Sequence, residues 1–235
     1  MNYRYLPTSK EGLVQLIAAS YLRHGYYWYV TGSLPKDKDH AAIDRKLIAK
    51  YEIDITEWAR SQRRKKGLAN AHYLRFNDWF ILLVSEGHHK LKQPSKLGGE
   101  GESIKDCRRV PIKFEGYSIS YRRSGVIEQG ALSPKWHAHV RIDNERYNEL
   151  KCHFEFMAVH RSPEHLAFEF SKVPFVRYAP IRRQLLNILR SVNKLRQQRG
   201  FELLPFHVLD LKRKPIKVFG MSPEPESTTP EAVVL

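Results

Sequence analysis

Cysteine, long apolar runs and acidic side chains are all scarce in this sequence. There are two cysteines, Cys107 and Cys152, and no C-x-x-C pair. That excludes a zinc ribbon and suits reduced thiols in a cytosolic protein, inert core or surface residues rather than nucleophiles. No apolar run approaches the roughly 20 residues of a membrane span. The first residues, MNYRYLPTSKEG, place no apolar stretch after a charge, so a secretory signal is not expected and the chain reads as cytoplasmic. There is no glycine-rich phosphate loop, nucleophile elbow or paired-carboxylate pattern. Gly98-Gly99-Glu100-Gly101 neither follows a strand nor opens a helix, and reads as a linker. No segment repeats at a fixed period.

The shortage of acid has the widest consequence. Forty Lys and Arg face 25 Asp and Glu, a net charge of +15. Residues 220–235 hold three glutamates and no Lys or Arg, which leaves the body at +18. A folded body this basic usually faces a polyanion, nucleic acid being the commonest; solubility alone is the plainer account. With 42% hydrophobic and 11% aromatic residues, the 235-residue chain can bury a real core. It reads as one basic domain over 1–219, or a core over 1–160 with a helical lobe over 161–219. The Pro, Ser, Thr and Glu-rich tail over 220–235 is expected to be disordered.

The organising stretch is Trp79-Phe80-Ile81-Leu82-Leu83-Val84, the longest strongly apolar run. Its β-branched and aromatic content, between turn residues at Asn77-Asp78 and Ser85-Glu86-Gly87, predicts a central strand buried on both faces. Tyr26 to Gly32 is its expected partner strand. Helices are predicted after the capping-box spacing at Thr8-Ser9-Lys10-Glu11, from Asp39 or His40, and from about Thr56 to Lys66, with Trp58 anchoring the last to the core. Lys92 to Asp106 reads as a flexible loop. Val110 to Phe114, Tyr117 to Arg123 and Lys135 to Ile142 read as strands, with a loop over Ser124 to Pro134. Helices follow from Asp143-Asn144 to about His160, from Arg161 towards Pro174, and from Pro180 to Arg199. The last carries an apolar stripe of Ile181, Leu185, Ile188, Val192 and Leu195. Leu203 to Phe219 reads as a short basic strand or an extended arm.

Strand, helices, then a strand ending in a Leu-Leu-Val run resembles the start of the HUH fold of single-tyrosine transposases and rolling-circle replication initiators. Tyr27-Trp28-Tyr29-Val30-Thr31 resembles that family's first strand, Tyr-His-Val-Thr. The family's metal strand reads His-apolar-His before Leu-Leu-Val, and here Trp79-Phe80-Ile81 holds that place. The resemblance covers roughly the first ninety residues and implies a family member without its metal histidines.

A different histidine pair lies downstream. In Trp136-His137-Ala138-His139-Val140, period-two alternation puts His137 and His139 on one face. There they could share a divalent ion such as Mg or Mn, as HUH nickases polarise the scissile phosphate, with Glu86 as a third ligand. The alternatives are solvent- or RNA-contacting histidines and a solvated glutamate. HUH enzymes attack with a helical tyrosine downstream of the metal strand. Tyr147 resembles it in placement, although a ring packed at a helix edge would look the same; Tyr178 is a second choice. His88-His89 reads as contacting solvent or phosphate. Basic clusters recur at Arg63, Arg64, Lys65 and Lys66, at Arg108 and Arg109, at Arg122 and Arg123, at Arg182-Arg183 and at Lys212-Arg213-Lys214. Each is a candidate nucleic-acid contact or a solvated face. Arg183, Arg190 and Lys194 fall opposite the last helix's apolar stripe, a phosphate-tracking rail or an idle surface. Tyr117, Tyr121, Trp136 and Phe154 could stack unpaired bases.

The sequence therefore reads as an α+β fold, mostly antiparallel and covered by helices. It is expected to bind DNA or RNA without an intact catalytic metal site. The rivals are an active metal-dependent nickase, and a structural subunit of a ribonucleoprotein or mobile-element complex. A second copy of the chain is the further expected partner, and no membrane is.

Overall fold

The computed structural model describes residues 3–93, 104–128, 131–214 and 216–220, with the backbone alone for 125–128 and 131–134. Most of the loop read from Lys92 to Asp106, and the tail beyond Gly220, lie outside the described residues. The fold is α+β, built on two antiparallel sheets. In the first, β3 (Trp79–Val84) lies between β2 (Ala71–Phe76) and β1 (Trp28–Ser33), and β1 carries the short β4 (Lys105–Asp106) on its far side. Asn77 takes φ 54° in the turn from β2 to β3, a left-handed conformation that Asn tolerates better than most residues.

The central strand is buried on both faces. Ile81 and Leu83 enter the main apolar cluster; Leu82 and Val84 enter a smaller one with Ile53, Ala69 and Tyr73. Helix α2 (His40–Lys50) covers the smaller cluster, packing Leu47 and Ile48 against it. Its one fully buried side chain is Asp44, which accepts from Tyr73 Oη at 2.6 Å and from Arg75 Nη2 at 2.9 Å. A buried carboxylate is tolerable because both oxygens are taken by these charge-assisted bonds, which tie α2 to the edge strand.

Helix α3 (Glu57–Lys65), capped by Thr56, departs from expectation. Trp58 is 72% exposed and anchors nothing. Polar contacts hold the helix instead: Arg60 donates to the Ile53 and Ala71 carbonyls, and Arg63 pairs with Glu52 at 2.6 Å.

As the outer strand, β2 would expose unpaired backbone, and several of its outward groups find partners. The Tyr3 hydroxyl donates to the Tyr73 carbonyl and accepts from the Tyr73 amide, both at 2.9 Å. The Arg75 amide donates to the Tyr5 carbonyl at 2.9 Å. Behind this edge His72 lies against Tyr21 and Tyr26, with Nδ1 3.2 Å from Tyr3 Oη and Nε2 3.4 Å from Arg60 Nη1. Tyr3 has already given its hydrogen to Tyr73, so the network assigns a neutral imidazole that donates from Nδ1 and accepts at Nε2. Burial, and then the Arg60 charge, push the His72 pKa down to about 3.

The first helix is capped by Ser9, whose Oγ accepts from Gly12 N at 3.0 Å, one residue later than the capping-box spacing suggests. It runs as α1 (Lys10–Gln15), widens to a π-helical turn over Leu16–Tyr21, and ends in a 3₁₀ turn before Gly25 at φ 90°. Leu13, Ile17 and Leu22 are fully buried along it.

The second sheet orders β5 (Ile112–Phe114), β6 (Tyr117–Glu128) and β7 (Ala131–Ile142). Strands β6 and β7 pair from Tyr117↔Ile142 to Glu128↔Ala131, so the expected loop over Ser124 to Pro134 is largely hairpin. Gly125 and Pro134, which made the segment look irregular, face each other across the ladder, and β7 is an outer strand where proline is tolerated. The β5–β6 turn uses Glu115 and Gly116 at φ 46° and 77°. A Cβ at Gly116 would also come within 3.2 Å of Phe175.

One face of this sheet (Ile112, Tyr117, Ile119, Val140, Ile142) joins the main cluster with Leu13, Ile17 and the last helix. That cluster runs from Leu13 to Leu209. Helices α4 (Asn144–Ala158), α5 (Pro163–Ser171) and α6 (Ala179–Gln198) follow. Asp143 sits at the cap position of α4, but its carboxylate turns to Lys113 at 3.4 Å. Helix α6 buries Ile181, Leu185, Ile188 and Val192, leaves Leu195 half-buried, and exposes Arg183, Arg190 and Lys194. Gln184 covers the outer edge of β7, accepting from Ile142 N at 2.8 Å and donating to Ile142 O at 3.0 Å. Arg196 is buried with no carboxylate paired to it among the described residues; it donates to the Ala158 carbonyl at the C-terminal end of α4, where the helix dipole is negative, and to the Arg161 carbonyl just beyond. Beyond it the chain runs as an extended arm rather than a strand, with one 3₁₀ turn at Phe206–Val208, and returns to the start, where Thr8 N donates to Val218 O at 2.9 Å. Among the described residues no helix is long and apolar enough to cross a membrane.

Two expectations follow. Leu185→Ala should lower unfolding free energy by about 2–5 kcal/mol, whereas replacing Arg183, Arg190 and Lys194 together by Gln should change it by less than about 1 kcal/mol, since isolated exposed charges contribute little; urea denaturation measures both. The second concerns acid. His72 is neutral when folded and binds a proton near pH 6.5 when unfolded, so stability should fall as pH drops below 6.5 towards 3. In His72→Gln the slope over that interval should be shallower by up to about 1.4 kcal/mol per pH unit, read from denaturation midpoints across pH; an unchanged slope would mean His72 is not the group titrating.

Candidate nucleic-acid interface

Because side chains alternate along a strand, the face of the second sheet turned away from the core is fixed once Ile119 and Val140 point inward. That outer face carries Ser118, Ser120, Arg122 and Ser124 on β6, opposite Arg141, His139, His137 and Lys135 on β7. Arg122 Nε donates to Ser120 Oγ at 3.0 Å, and Arg141 reaches Asn144 at the start of α4. Arg122, Arg141, Ser118 and Lys113 line a cavity of about 290 Å³ with Pro111 and Asp143.

His139 lies at the centre of this positive field. Burial lowers its pKa first, followed by the charges of Arg122, His137, Arg141 and Arg183. Its Nδ1 is buried and has no hydrogen-bond partner among the described residues. Gln184 clamps α6 to the edge of β7, and the charge of its neighbour Arg183 is near enough to contribute to lowering the His139 pKa. Among the described residues, none of the guanidiniums of Arg122, Arg141 and Arg183 pairs with a carboxylate. Asp143 and Glu145 line the same cavity as Arg122 and Arg141 without pairing with either, and guanidiniums held together with no carboxylate directly on them favour an anion there.

The expected metal set is not assembled. His137 and His139 do share a face, with ring centroids 6.3 Å apart. Glu86, however, follows β3 at the end of the first sheet, where its carboxylate takes Trp28 Nε1 at 3.2 Å, Arg108 at 3.1 Å and Lys92 at 3.9 Å. Among the described residues no three His, Cys, Asp or Glu side chains gather as a metal site. The surrounding guanidiniums also oppose a divalent cation. Tyr147 lies in the first turn of α4, half-buried, with its ring packed on the main core. Lys151, one turn on, is engaged with Glu155 at 3.6 Å. Tyr178 is half-buried beneath the Arg213 guanidinium at 4.2 Å. His89 is buried and caps a short turn by accepting from Leu91 N, while His88 is exposed.

The basic clusters divide. Arg63 and Arg108 are committed to Glu52 and to Asp106 with Glu86. Arg64, Lys65 and Lys66 are exposed at the C-terminal end of α3, where they favour the helix dipole. Arg109, Arg122, Arg123, Arg190 and Lys194 are exposed. Of the candidate stacking rings, Tyr117 and Phe154 are at most 1% exposed and unavailable, and Tyr121 is 8% exposed; Trp136 is 49% exposed. Lys135 and Arg141 were not singled out as contacts, yet the alternation of KWHAHVRI places both on the histidine face. The approach of Arg183 carried no signal in the sequence, because it depends on where α6 docks. Comparison with protein-family models, curated proteins and solved structures finds no match to this chain.

Proposed function

We propose that the protein binds nucleic acid, DNA or RNA, through the outer face of the second sheet. The observation that carries this reading is that Arg122 and Arg141 share a sheet face with His137 and His139, with the Arg183 charge close enough to act on His139, and that none of the three arginines pairs with a carboxylate among the described residues. A phosphate backbone offers anions that guanidiniums hold in two-pronged geometry, and neutral His139 can donate or accept without adding charge. A body carrying +18 supplies the long-range attraction that brings such a ligand in. Arg190 and Lys194 extend the same charge along α6, and Arg109 and Arg123 add to it elsewhere. On this reading the chain resembles an HUH transposase or replication initiator in which phosphate binding persists and the metal site has decayed. Partners beyond nucleic acid would be a second copy of the chain or a ribonucleoprotein, and the proposed place of action is the cytoplasm.

Salt titration of binding to an oligonucleotide tests the proposal. Log affinity should fall linearly with log salt, and replacing Arg122, Arg141 and Arg183 by Gln should flatten the slope by up to about three phosphate contacts while the protein still melts cooperatively. A wild-type slope equivalent to fewer than about two contacts counts against the reading. Cleavage that needs Mg or Mn and leaves a protein–DNA adduct, lost in Tyr147→Phe, would instead establish a nickase.

A further inference from the structure

The two faces of the β6–β7 ribbon differ, and the face opposite the histidines carries a column of stacked side chains. The Arg108 guanidinium lies 4.7 Å from the centroid of the Tyr27 ring. Tyr27 stacks on Tyr121 at 4.8 Å with 26° between planes, and Tyr121 stacks on Trp136 at 5.7 Å with 11°. The column crosses between the two sheets, since Tyr27 leads into β1 while Tyr121 and Trp136 are diagonal neighbours on β6 and β7. Tyr121 is 8% exposed and Tyr27 is half-buried; burial followed by Tyr121 raises the Tyr27 phenol to about 12, keeping it neutral. Its last member, Trp136, has half its surface in solvent.

We infer that Trp136 is a stacking platform for an unpaired nucleobase, so that the nucleic acid held here is single-stranded or presents an unpaired base. The inference rests on the nucleic-acid reading above and specifies the form of ligand. An indole held flat against Tyr121 is already ordered, so a base stacking on it costs little further side-chain entropy. Every base has a π-face, and stacking of this kind is tolerant of sequence. The charges around the ring suit a nucleotide rather than an apolar protein surface. Arg123 faces Trp136 directly across the ladder, and Arg122 faces His137. Neither arginine pairs with a carboxylate among the described residues. β7 is the outer strand of its sheet, and successive residues point to opposite sides. A nucleotide crossing that edge at 136–137 therefore meets the indole on one side and the His137–Arg122 row on the other. A base-paired duplex has no free base face to offer except at its ends.

The test uses the full chain and one fluorescein-labelled 15-nucleotide oligomer, single-stranded or annealed to its complement. Affinities are measured across a salt series for wild type, Trp136→Ala and Trp136→Phe, with thermal melts of each. Trp136→Ala should weaken single-strand binding roughly 5- to 150-fold, change duplex binding less than about twofold, and keep the salt slope. Trp136→Phe, which keeps a π-face, should recover most of the loss, and wild-type indole fluorescence should be quenched by the single strand more than by the duplex. Equal losses on both ligands, or none on the single strand with the slope intact, would overturn the platform while leaving nucleic-acid binding standing. A wild type with no salt-dependent binding to either ligand would remove both. Self-association lost in Trp136→Ala, with oligomer affinity untouched, would overturn the inference in favour of a protein contact.

Discussion

Burial of β3 on both faces is the constraint from which the rest of the architecture follows. A strand with Ile81 and Leu83 on one side and Leu82 and Val84 on the other cannot lie at a surface, so the chain must build two separate covers. Helix α2 makes one and the first helix with the second sheet makes the other. Each cover then needs its own attachment. For α2 it is the buried Asp44 carboxylate, held by Tyr73 and Arg75; for the outer strand β2 it is Tyr3, Tyr5 and Arg60, which close several of the backbone groups that pairing leaves open. Neutral His72 sits inside this second arrangement because burial, and then the Arg60 charge, exclude its proton.

The second sheet is organised differently. Its inner face covers the core, and its other face carries Arg122, His137, His139 and Arg141, with no carboxylate paired to either arginine among the described residues. Such a collection opposes folding through mutual repulsion. It is sustained because β6 and β7 are paired along their length and α6 is clamped to the edge of β7 by both polar atoms of Gln184. Buried Arg196, held by the carbonyls at the end of α4, secures the far end of the same helix. The paired strands and the clamped helix thus hold the charges in place, and the departure from local electrostatic balance concentrates on this one face.

Much of the fold was legible in the sequence because it follows from short-range pattern. The apolar run 79–84, the aromatic strand before it, the alternation in 117–123 and 135–142 and the stripe on α6 each encode which face is buried. His137 and His139 share a face for the same reason, since a period of two leaves no choice once the strand exists. Helix caps at Asp39 and Thr56 were local as well. What the sequence determined by itself was therefore periodicity, charge and the faces of single elements.

Tertiary structure decided everything that depends on distance across the chain. Trp58 looks like an anchor in sequence, yet α3 is held by Arg60 and Arg63 and leaves the indole in water. Gly125 and Pro134 suggest a loop, yet cross-strand pairing carries the ladder through both. Glu86 is drawn to Arg108 and Lys92 at the end of the first sheet rather than to the histidines, because register and sheet order set which ends meet. The Arg183 charge comes near His139 only through the docking of α6, and Tyr27 reaches Tyr121 only because the two sheets pack together. Long-range contacts of this kind arise from the folding of distant segments onto one core, and no local spacing specifies them.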